Sequence, residues 1–136
     1  MRFDSKIAVA LADDLAVWQK LNVAAFLASG LAAAHPALIG EPYRDADGVA
    51  YHPLFRQPVL VLTGTRVALS RVRARAHERG LKLAVYTDGM FATGHDAANR
   101  AVVAAIPTSA LDLVGLTLWG DRKVVDKALD GLTLHP

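Results

Sequence analysis

The chain has 136 residues, a length typical of a single domain with its own core. Hydrophobic residues make up 53% of the chain and charged residues 21%, which excludes a disordered protein. Without cysteine, the protein has no disulfide, no thiolate metal site and no cysteine nucleophile. The first apolar stretch is interrupted by Asp13 and Asp14, so we expect a cytoplasmic protein with neither a signal peptide nor a membrane span.

The first part of the chain predicts a strand, a helix and an aromatic excursion. Residues 6–11 form an apolar, partly β-branched run that is typical of a buried strand. The helix covers about residues 16–34, with Asp14 as its N-cap, and ends before a proline. Prolines and an Asp-Gly pair within residues 40–58 predict a hairpin-like excursion inside one domain of residues 1–136.

Further strands and helices are predicted in alternation after this excursion. Residues 59–62 have the continuous apolar character of a central strand. They lead into an arginine-bearing helix that Thr65 caps and Gly80 ends. Residues 82–86 predict a third strand and residues 101–106 a fourth.

The end of the chain is predicted to be helical. Ser109 caps a short helix that carries Asp112, and a last helix covers residues 121–129. The alternation of helices and buried strands indicates an α/β protein with helices on both faces of a small sheet. Val61 and Val85, in central strands, are therefore expected to be almost wholly buried.

Positive charge is concentrated in one segment, although the net charge of the chain is only +2. Residues 65–82 contain six lysines or arginines against one glutamate. A spacing of four places Arg71, Arg75 and Arg79 on one flank of the predicted helix. Such a stripe is typical either of a solvated helix face or of contact with an anionic partner such as nucleic acid, and the pattern leaves both open.

Polar residues follow the predicted strands at the edge where ligands collect in open α/β sheets. Lys20 and Asp88 are predicted to face each other across one cleft at this edge. The carboxylate would orient a water or a substrate hydroxyl, and the ammonium would hold a phosphate or a developing oxyanion. The alternative is that such residues solvate strand ends and helix starts. The candidate binding residues around this pair are Asp14, Thr93, His95 and Asn99.

Metal and cofactor motifs are missing from the sequence. The five histidines have no metal-ligand spacing, and the His95-Asp96 pair is more typical of a turn cap than of a ligand pair. The chain has neither a G-x-x-x-x-G-K phosphate loop nor a G-x-S-x-G nucleophile elbow. We therefore expect no metal and no cofactor.

Three segments carry a resemblance to a known family: WQKLNVA at 18–24, DADG at 45–48 and MFATGHD at 90–96. Over nearly its whole length the chain resembles a bacterial family catalogued as a domain of unknown function, number two thousand. The order of its elements is also similar to that of the type II peptidyl-tRNA hydrolases. The resemblance implies a three-layer α/β/α fold with a mixed sheet of about four strands, and a homodimer. It implies no assigned reaction.

The type II hydrolases cut the ester between a peptide and the terminal ribose of tRNA, and their lysine and aspartate fall on Lys20 and Asp88. The surroundings differ, because Gln19 replaces a glycine and residues 88–91 replace an Asp-Ala-Gly motif. The fold therefore transfers better than the activity. Two functions follow: hydrolysis of an ester on tRNA or a nucleotide-like substrate, with Lys20 and Asp88 as the catalytic residues, or a non-catalytic module that binds a small ligand or a partner peptide.

Overall fold

A computed structural model of the chain describes residues 2–136. Within these residues the chain forms seven strands and four α-helices. In chain order they are β1 (Ser5–Ala12), α1 (Val17–Ala34), β2 (Tyr43–Arg44), β3 (Ala50–Tyr51), β4 (Val59–Gly64), α2 (Arg66–Glu78), β5 (Ala84–Thr87), α3 (Asp96–Ala104), β6 (Leu113–Asp121), α4 (Arg122–Ala128) and β7 (Thr133–Leu134). Short 3₁₀ turns occupy Pro36–Leu38, Asp88–Ala92 and Thr108–Ala110.

Five strands form one mixed sheet in the order β5-β6-β1-β4-β7. Strands β1 and β4 are parallel, and the other neighbouring pairs are antiparallel. Strands β2 and β3 form a separate antiparallel hairpin between α1 and β4. The predicted mixed α/β class is confirmed, but the sheet has five strands rather than about four.

The core lies around the two central strands, β1 and β6. Every side chain from Ile7 to Ala12 is buried, and so is every residue from Leu113 to Leu118. A Cβ built on Gly115 would lie 2.5 Å from Val23 of α1, whereas one on Gly120 would meet Val125 of α4 at 3.7 Å. Since positions 115 and 120 point to opposite faces of a strand, α1 and α4 pack on opposite faces of the sheet.

The first two long helices begin close to their predicted positions, but only one has the predicted cap. Thr65 accepts a hydrogen bond from the Ala68 N–H at 3.1 Å, and Gly80 follows α2 with a φ of 73°, as the sequence predicted. In contrast, α1 has Ala16 at its N-cap position, without a capping side-chain acceptor. The prediction that Asp14 caps α1 is wrong, because this carboxylate is bound to an arginine instead.

The predicted fourth strand at residues 101–106 is wrong, because most of this segment belongs to α3. His95 caps this helix by accepting a hydrogen bond from the Ala98 N–H at its Nδ1. Alanine favours helix, and a short apolar run does not by itself distinguish a strand from a helix. The predicted short helix after Ser109 is reduced to one 3₁₀ turn, and Asp112 directly precedes strand β6.

The expected burial of two valines is also wrong. Val61 is 38% exposed and Val85 is half-buried. Val61 lies in β4, whose outer neighbour β7 has only two residues, and Val85 lies in β5, which is an edge strand. Strands near the edge of a sheet are not covered as fully as the central ones. None of the helices within residues 2–136 has the length and apolar character needed to cross a membrane.

Candidate functional site

Four charged side chains meet at the carboxyl end of β1, β4 and β5. Arg66, the first residue of α2, contacts Asp14 at 3.1 Å, Asp88 at 3.1 Å and Asp112 at 2.9 Å. We call these four residues the Arg66 cluster. Each carboxylate follows or precedes a different strand, so the guanidinium links three segments that are distant along the chain.

Arg66 remains a cation in this environment. Partial burial lowers the pKa of its guanidinium, but the hydrogen bonds to Asp14 and Asp88 and the charge of Asp112 raise that pKa more strongly. The net result is a pKa above the ordinary arginine value. The cluster therefore has one positive and three negative charges, and one oxygen of Asp88 is held by a permanent cation.

Lys20 lies away from the Arg66 cluster, on the side of α1 that faces His135. Its Nζ is 3.1 Å from Nε2 of His135, just beyond strand β7. Trp18, Asn22 and Phe26, spaced four residues apart, share one stripe of the helix. Lys20 is two positions from that stripe, which places it about 200° around the helix. His135 follows β7, at one edge of the sheet, whereas Asp88 follows β5, at the opposite edge.

A cleft with a volume of about 880 Å³ opens between α1, β5 and α3. Four aromatic rings form a continuous row along it, which we call the aromatic wall: Trp18, Phe91, Tyr86 and Phe26. The ring centroids of successive members are 6.1 Å, 5.2 Å and 5.7 Å apart, with tilted or edge-to-face geometry. Such geometry is the favoured one for aromatic pairs.

The aromatic wall is exposed at its two ends and less exposed between them, where Phe91 is half-buried. Trp18 is 62% exposed and Phe26 is 50% exposed, whereas Tyr86 is buried. Burial raises the pKa of the Tyr86 phenol, and the side chain of Asn22 acts weakly in the opposite direction. Tyr86 is therefore neutral, and two large apolar ring surfaces face the open cleft.

The opposite side of the cleft is polar. Thr93, His95 and Asn99 line it from the start of α3 and the segment before it. The Thr93 hydroxyl donates to the Met90 carbonyl at 2.9 Å and also contacts Asn99 Oδ1. Nδ1 of His95 accepts the Ala98 N–H at 3.2 Å, so a neutral imidazole carries its proton on Nε2. His95 thus offers a donor on its second nitrogen.

The six predicted site residues occupy three places. The cleft brings together Thr93, His95 and Asn99. Asp14 and Asp88 belong to the Arg66 cluster, and Lys20 pairs with His135. The turn that begins at Asp88 carries Met90 and Phe91 into the cleft, so the Arg66 cluster and the cleft are joined by one short segment.

Sequence reasoning missed Arg66 and the aromatic wall. The sequence gives Arg66 no role of its own, because its carboxylate partners lie 22 to 52 positions away. A signal for the wall was present, since positions 18, 22 and 26 form one stripe with two aromatic residues. Among residues 2–136 no group of three or more His, Asp or Glu side chains is placed to hold a metal ion.

Comparison with known proteins identifies the family. A model of the family described as "Protein of unknown function (DUF2000)" matches residues 5–136. The solved structure of a protein of unknown function from Agrobacterium tumefaciens str. C58 is 50% identical, with a TM-score of 0.96. That match covers 99% of this chain and 100% of the other. No curated protein matches the sequence. The chain therefore belongs to the DUF2000 family, and the similarity to type II peptidyl-tRNA hydrolases stays a prediction.

Proposed function

We propose that this member of the DUF2000 family is a non-catalytic binding module whose cleft holds a small molecule with an aromatic ring and a hydrogen-bond acceptor. The aromatic wall carries this proposal. Trp18 and Phe26 keep half or more of their surface exposed and both line this concave site, so a flat ligand in the cleft can cover part of each ring. Covering about 100 Å² of ring surface contributes roughly 2–3 kcal/mol to binding.

The preference for an acceptor follows from the polar side of the cleft. Nδ1 of His95 is occupied by the Ala98 N–H, so the neutral ring presents an N–H donor at Nε2. Arg100 and Asp96 line the same side as an ion pair, so they add N–H donors to the cleft without adding net charge. A ligand that stacks on the aromatic wall and directs a carbonyl or carboxylate toward His95 satisfies both sides of the cleft.

Three fragments test the two parts of this proposal in ligand-observed NMR titrations. Benzoate has the ring and the acceptor, cyclohexanecarboxylate has only the acceptor, and benzylamine has the ring with a donor. We expect benzoate to bind with a Kd of about 1 mM, which corresponds to about −4 kcal/mol. The other two fragments should bind more weakly, because each lacks one of the two features.

A pair of variants shows whether binding takes place at the aromatic wall. Trp18→Leu keeps an apolar side chain but removes the ring, and it should weaken benzoate binding by roughly three- to tenfold. Tyr43→Leu removes a similarly exposed ring from the β2–β3 hairpin and serves as the matched control. Equal binding of the three fragments, or equal effects of the two variants, would contradict the proposal.

The second candidate function is hydrolysis of an ester on tRNA or a nucleotide-like substrate. It is supported by the position of Asp88, which lies beside the cationic Arg66 at the start of the turn that lines the cleft. In this reaction Asp88 would orient the water and the Arg66 guanidinium would face the developing oxyanion. Lys20 contacts His135 on the far flank of α1, so in this arrangement it does not face Asp88.

Release of peptide from a model peptidyl-tRNA tests the enzymatic candidate. If Asp88 is the general base, Asp88→Asn should lower the rate by roughly 10²- to 10⁴-fold while the fold is kept. Wild-type release no faster than that of Asp88→Asn would exclude the hydrolase and leave the binding module. Lys20→Ala, compared at equal folded concentration, shows whether the lysine contributes.

The packing of α1 and α4 on opposite faces of the sheet supports our proposal of a three-layer fold similar to that of the type II peptidyl-tRNA hydrolases. The five-stranded order differs from the four strands that the resemblance implied. The homodimer and the cytoplasmic location stay predictions. Size-exclusion chromatography with light scattering tests the first of them.

A further inference from the structure

A second, smaller hollow, which shares no lining residue with the cleft, lies between the end of α2 and helix α4. It has a volume of about 250 Å³ and is lined by Arg79, Lys123, Val124 and Lys127. Three of these four side chains are cations, and no carboxylate lines the hollow.

The three cations are not neutralised within the protein. Of the five ion pairs formed by residues 2–136, none includes Arg79, Lys123 or Lys127. The acidic residues nearest to the two lysines in sequence have other partners: Asp126 is paired with Lys6, and Asp121 accepts the backbone N–H groups of Lys123 and Val124. The Arg79 guanidinium donates one hydrogen bond, from Nη1 to the Arg75 carbonyl at 3.4 Å. Its other N–H groups are free for an external acceptor.

The relative position of the two helices is fixed by Arg75. Its Nε donates to the Ala128 carbonyl at 3.2 Å, and its Nη2 donates to the Asp130 carbonyl. Val125 and Ala128 of α4 are buried in the core, so packing against the core also fixes the position of α4. The backbone that carries the three cations is therefore in place before a ligand binds, which lowers the cost of ordering the site.

Charge repulsion indicates what the hollow is suited to bind. Lys123 and Lys127 are separated by four positions on one helix, where like charges repel. Arg79 adds a third positive charge across the hollow. A compact anion with several acceptor oxygens would attract all three cations and offset their mutual repulsion. Guanidinium and ammonium groups are the usual partners of phosphate.

We propose that this hollow is a phosphate-binding site, formed by Arg79, Lys123 and Lys127 and independent of the ligand cleft. The phosphate belongs either to a small phosphorylated molecule or to the backbone of a nucleic acid. Arg71 lies two turns before Arg79 on α2 but does not line the hollow. It is therefore the matched control, because its removal changes the net charge without changing the site.

The test is an NMR titration of the whole chain with pyrophosphate and, separately, with oligouridylate. For the wild type we expect saturable amide shifts confined to residues 79 and 123–127. Lys127→Gln should weaken pyrophosphate binding by roughly tenfold or more, whereas Arg71→Gln, which removes the same single charge, should change it by less than about twofold. Circular dichroism and thermal melts confirm that the exposed substitutions leave the fold unchanged.

The salt dependence separates the two sources of phosphate. A nucleic-acid backbone that spans several cations binds more tightly than pyrophosphate, with a log–log slope of about −0.7 for each phosphate contact. A small phosphorylated ligand binds at least as tightly as oligouridylate and involves the hollow alone. Equal weakening by Arg71→Gln and by the lysine variant would overturn the proposal, since net charge alone would then explain the binding. Unsaturable shifts in the wild type would also overturn it.

Discussion

The Arg66 cluster and the aromatic cleft are joined by the turn at Asp88–Ala92, yet they differ in how their groups are satisfied. In the cluster, each of the three carboxylates has a hydrogen-bonded cation. In the cleft, Trp18 and Phe26 have large surfaces with no covering side chain. The cluster is complete without a ligand, whereas the cleft is not.

This difference separates a structural role from a binding role. Charged residues at the carboxyl end of a sheet are expected at ligand sites, and the sequence indicates such a site there. Here those charges bind one another and connect β1, α2, β5 and β6. The apolar surface that remains available to a ligand is the aromatic wall of the cleft, which the turn at Asp88–Ala92 joins to the cluster. Gly115→Ala and Arg66→Leu test this distinction, and two further changes concern the core and the β2–β3 hairpin.

The largest effect should come from Gly115→Ala, because this glycine supports the helix that carries the cleft. The new Cβ would lie 2.5 Å from Val23 and 3.0 Å from Leu27, both buried, and 3.4 Å from the Ala10 carbonyl oxygen. We expect a loss of about 2–3 kcal/mol in the free energy of unfolding, measured with urea. Displacement of α1 should also weaken benzoate binding.

Gly94→Ala is the matched control for that change. A Cβ at Gly94 meets no atom within 4 Å, although this residue lines the cleft. Its free energy of unfolding should stay within about 0.5 kcal/mol of the wild-type value. Equal stability of the two variants would show that α1 tolerates displacement from β6.

Arg66→Leu should have the next largest effect, through stability rather than ligand binding. It leaves three partly exposed carboxylates next to one another, and it removes three ion pairs worth about 0.2–1 kcal/mol each. We expect a loss of about 1–2 kcal/mol in urea unfolding, reduced in high salt. Adding Asp88→Asn should restore part of it. A large loss of benzoate binding with unchanged stability would place Arg66 in the binding site instead.

Thr117→Val should increase stability, in contrast to most core substitutions. Thr117 is 1% exposed, and its hydroxyl has no hydrogen-bond partner among residues 2–136. Removing a buried unpaired hydroxyl should stabilise the fold by about 1 kcal/mol in thermal or urea unfolding. Thr63→Val is the control of opposite sign, because the Thr63 hydroxyl donates to the Leu11 carbonyl at 2.9 Å. A loss of stability in Thr117→Val would indicate that its hydroxyl is paired in solution.

The smallest effect concerns the β2–β3 hairpin and its pH dependence. The Tyr51 hydroxyl and the Val49 N–H hold the pKa of Asp45 below its ordinary value, and the same contact raises the pKa of Tyr51. Because the pKa of Asp45 is lowered in the folded state, the carboxylate stabilises the hairpin above about pH 4, and this stabilisation is lost as the pH falls further. Ionisation of Tyr51 removes the hydrogen bond between Tyr51 and Asp45 above about pH 10.

NMR shifts of the Val49 amide measure this dependence, since its N–H donates to Asp45 at 3.0 Å. Asp45→Asn has no titrating carboxyl and should show no acid transition at that amide. An identical acid transition in the wild type and in Asp45→Asn would assign the change to another group. The five-stranded sheet should be unaffected, because among residues 2–136 strands β2 and β3 pair only with each other.

The elements that local patterns predicted well are those whose signals lie within a few residues. Strand β1 is a continuous apolar run, and α2 has both a cap at Thr65 and a glycine end at Gly80. Strand β6 was missed, although Leu113–Asp121 is rich in strand-forming residues. Its identity depends on pairing with β1 and β5, which are distant in sequence. Short apolar runs need such partners to be assigned.

The site shows the same division between local and distant information. Thr93, His95 and Asn99 were predicted together and lie together, because one turn and one helix start carry all three. Lys20 and Asp88 were predicted to converge from separate elements, and the structure gives each of them a different partner.

By itself the sequence determined the α/β class, the caps of α2 and the family, because these depend on local patterns and on motifs along the chain. Only the tertiary structure decided which charges are paired. The sheet order β5-β6-β1-β4-β7 brings Asp14, Asp88 and Asp112 around Arg66 and carries His135 to Lys20. Pairings between residues 20 to 120 positions apart depend on that order, and no local periodicity encodes it.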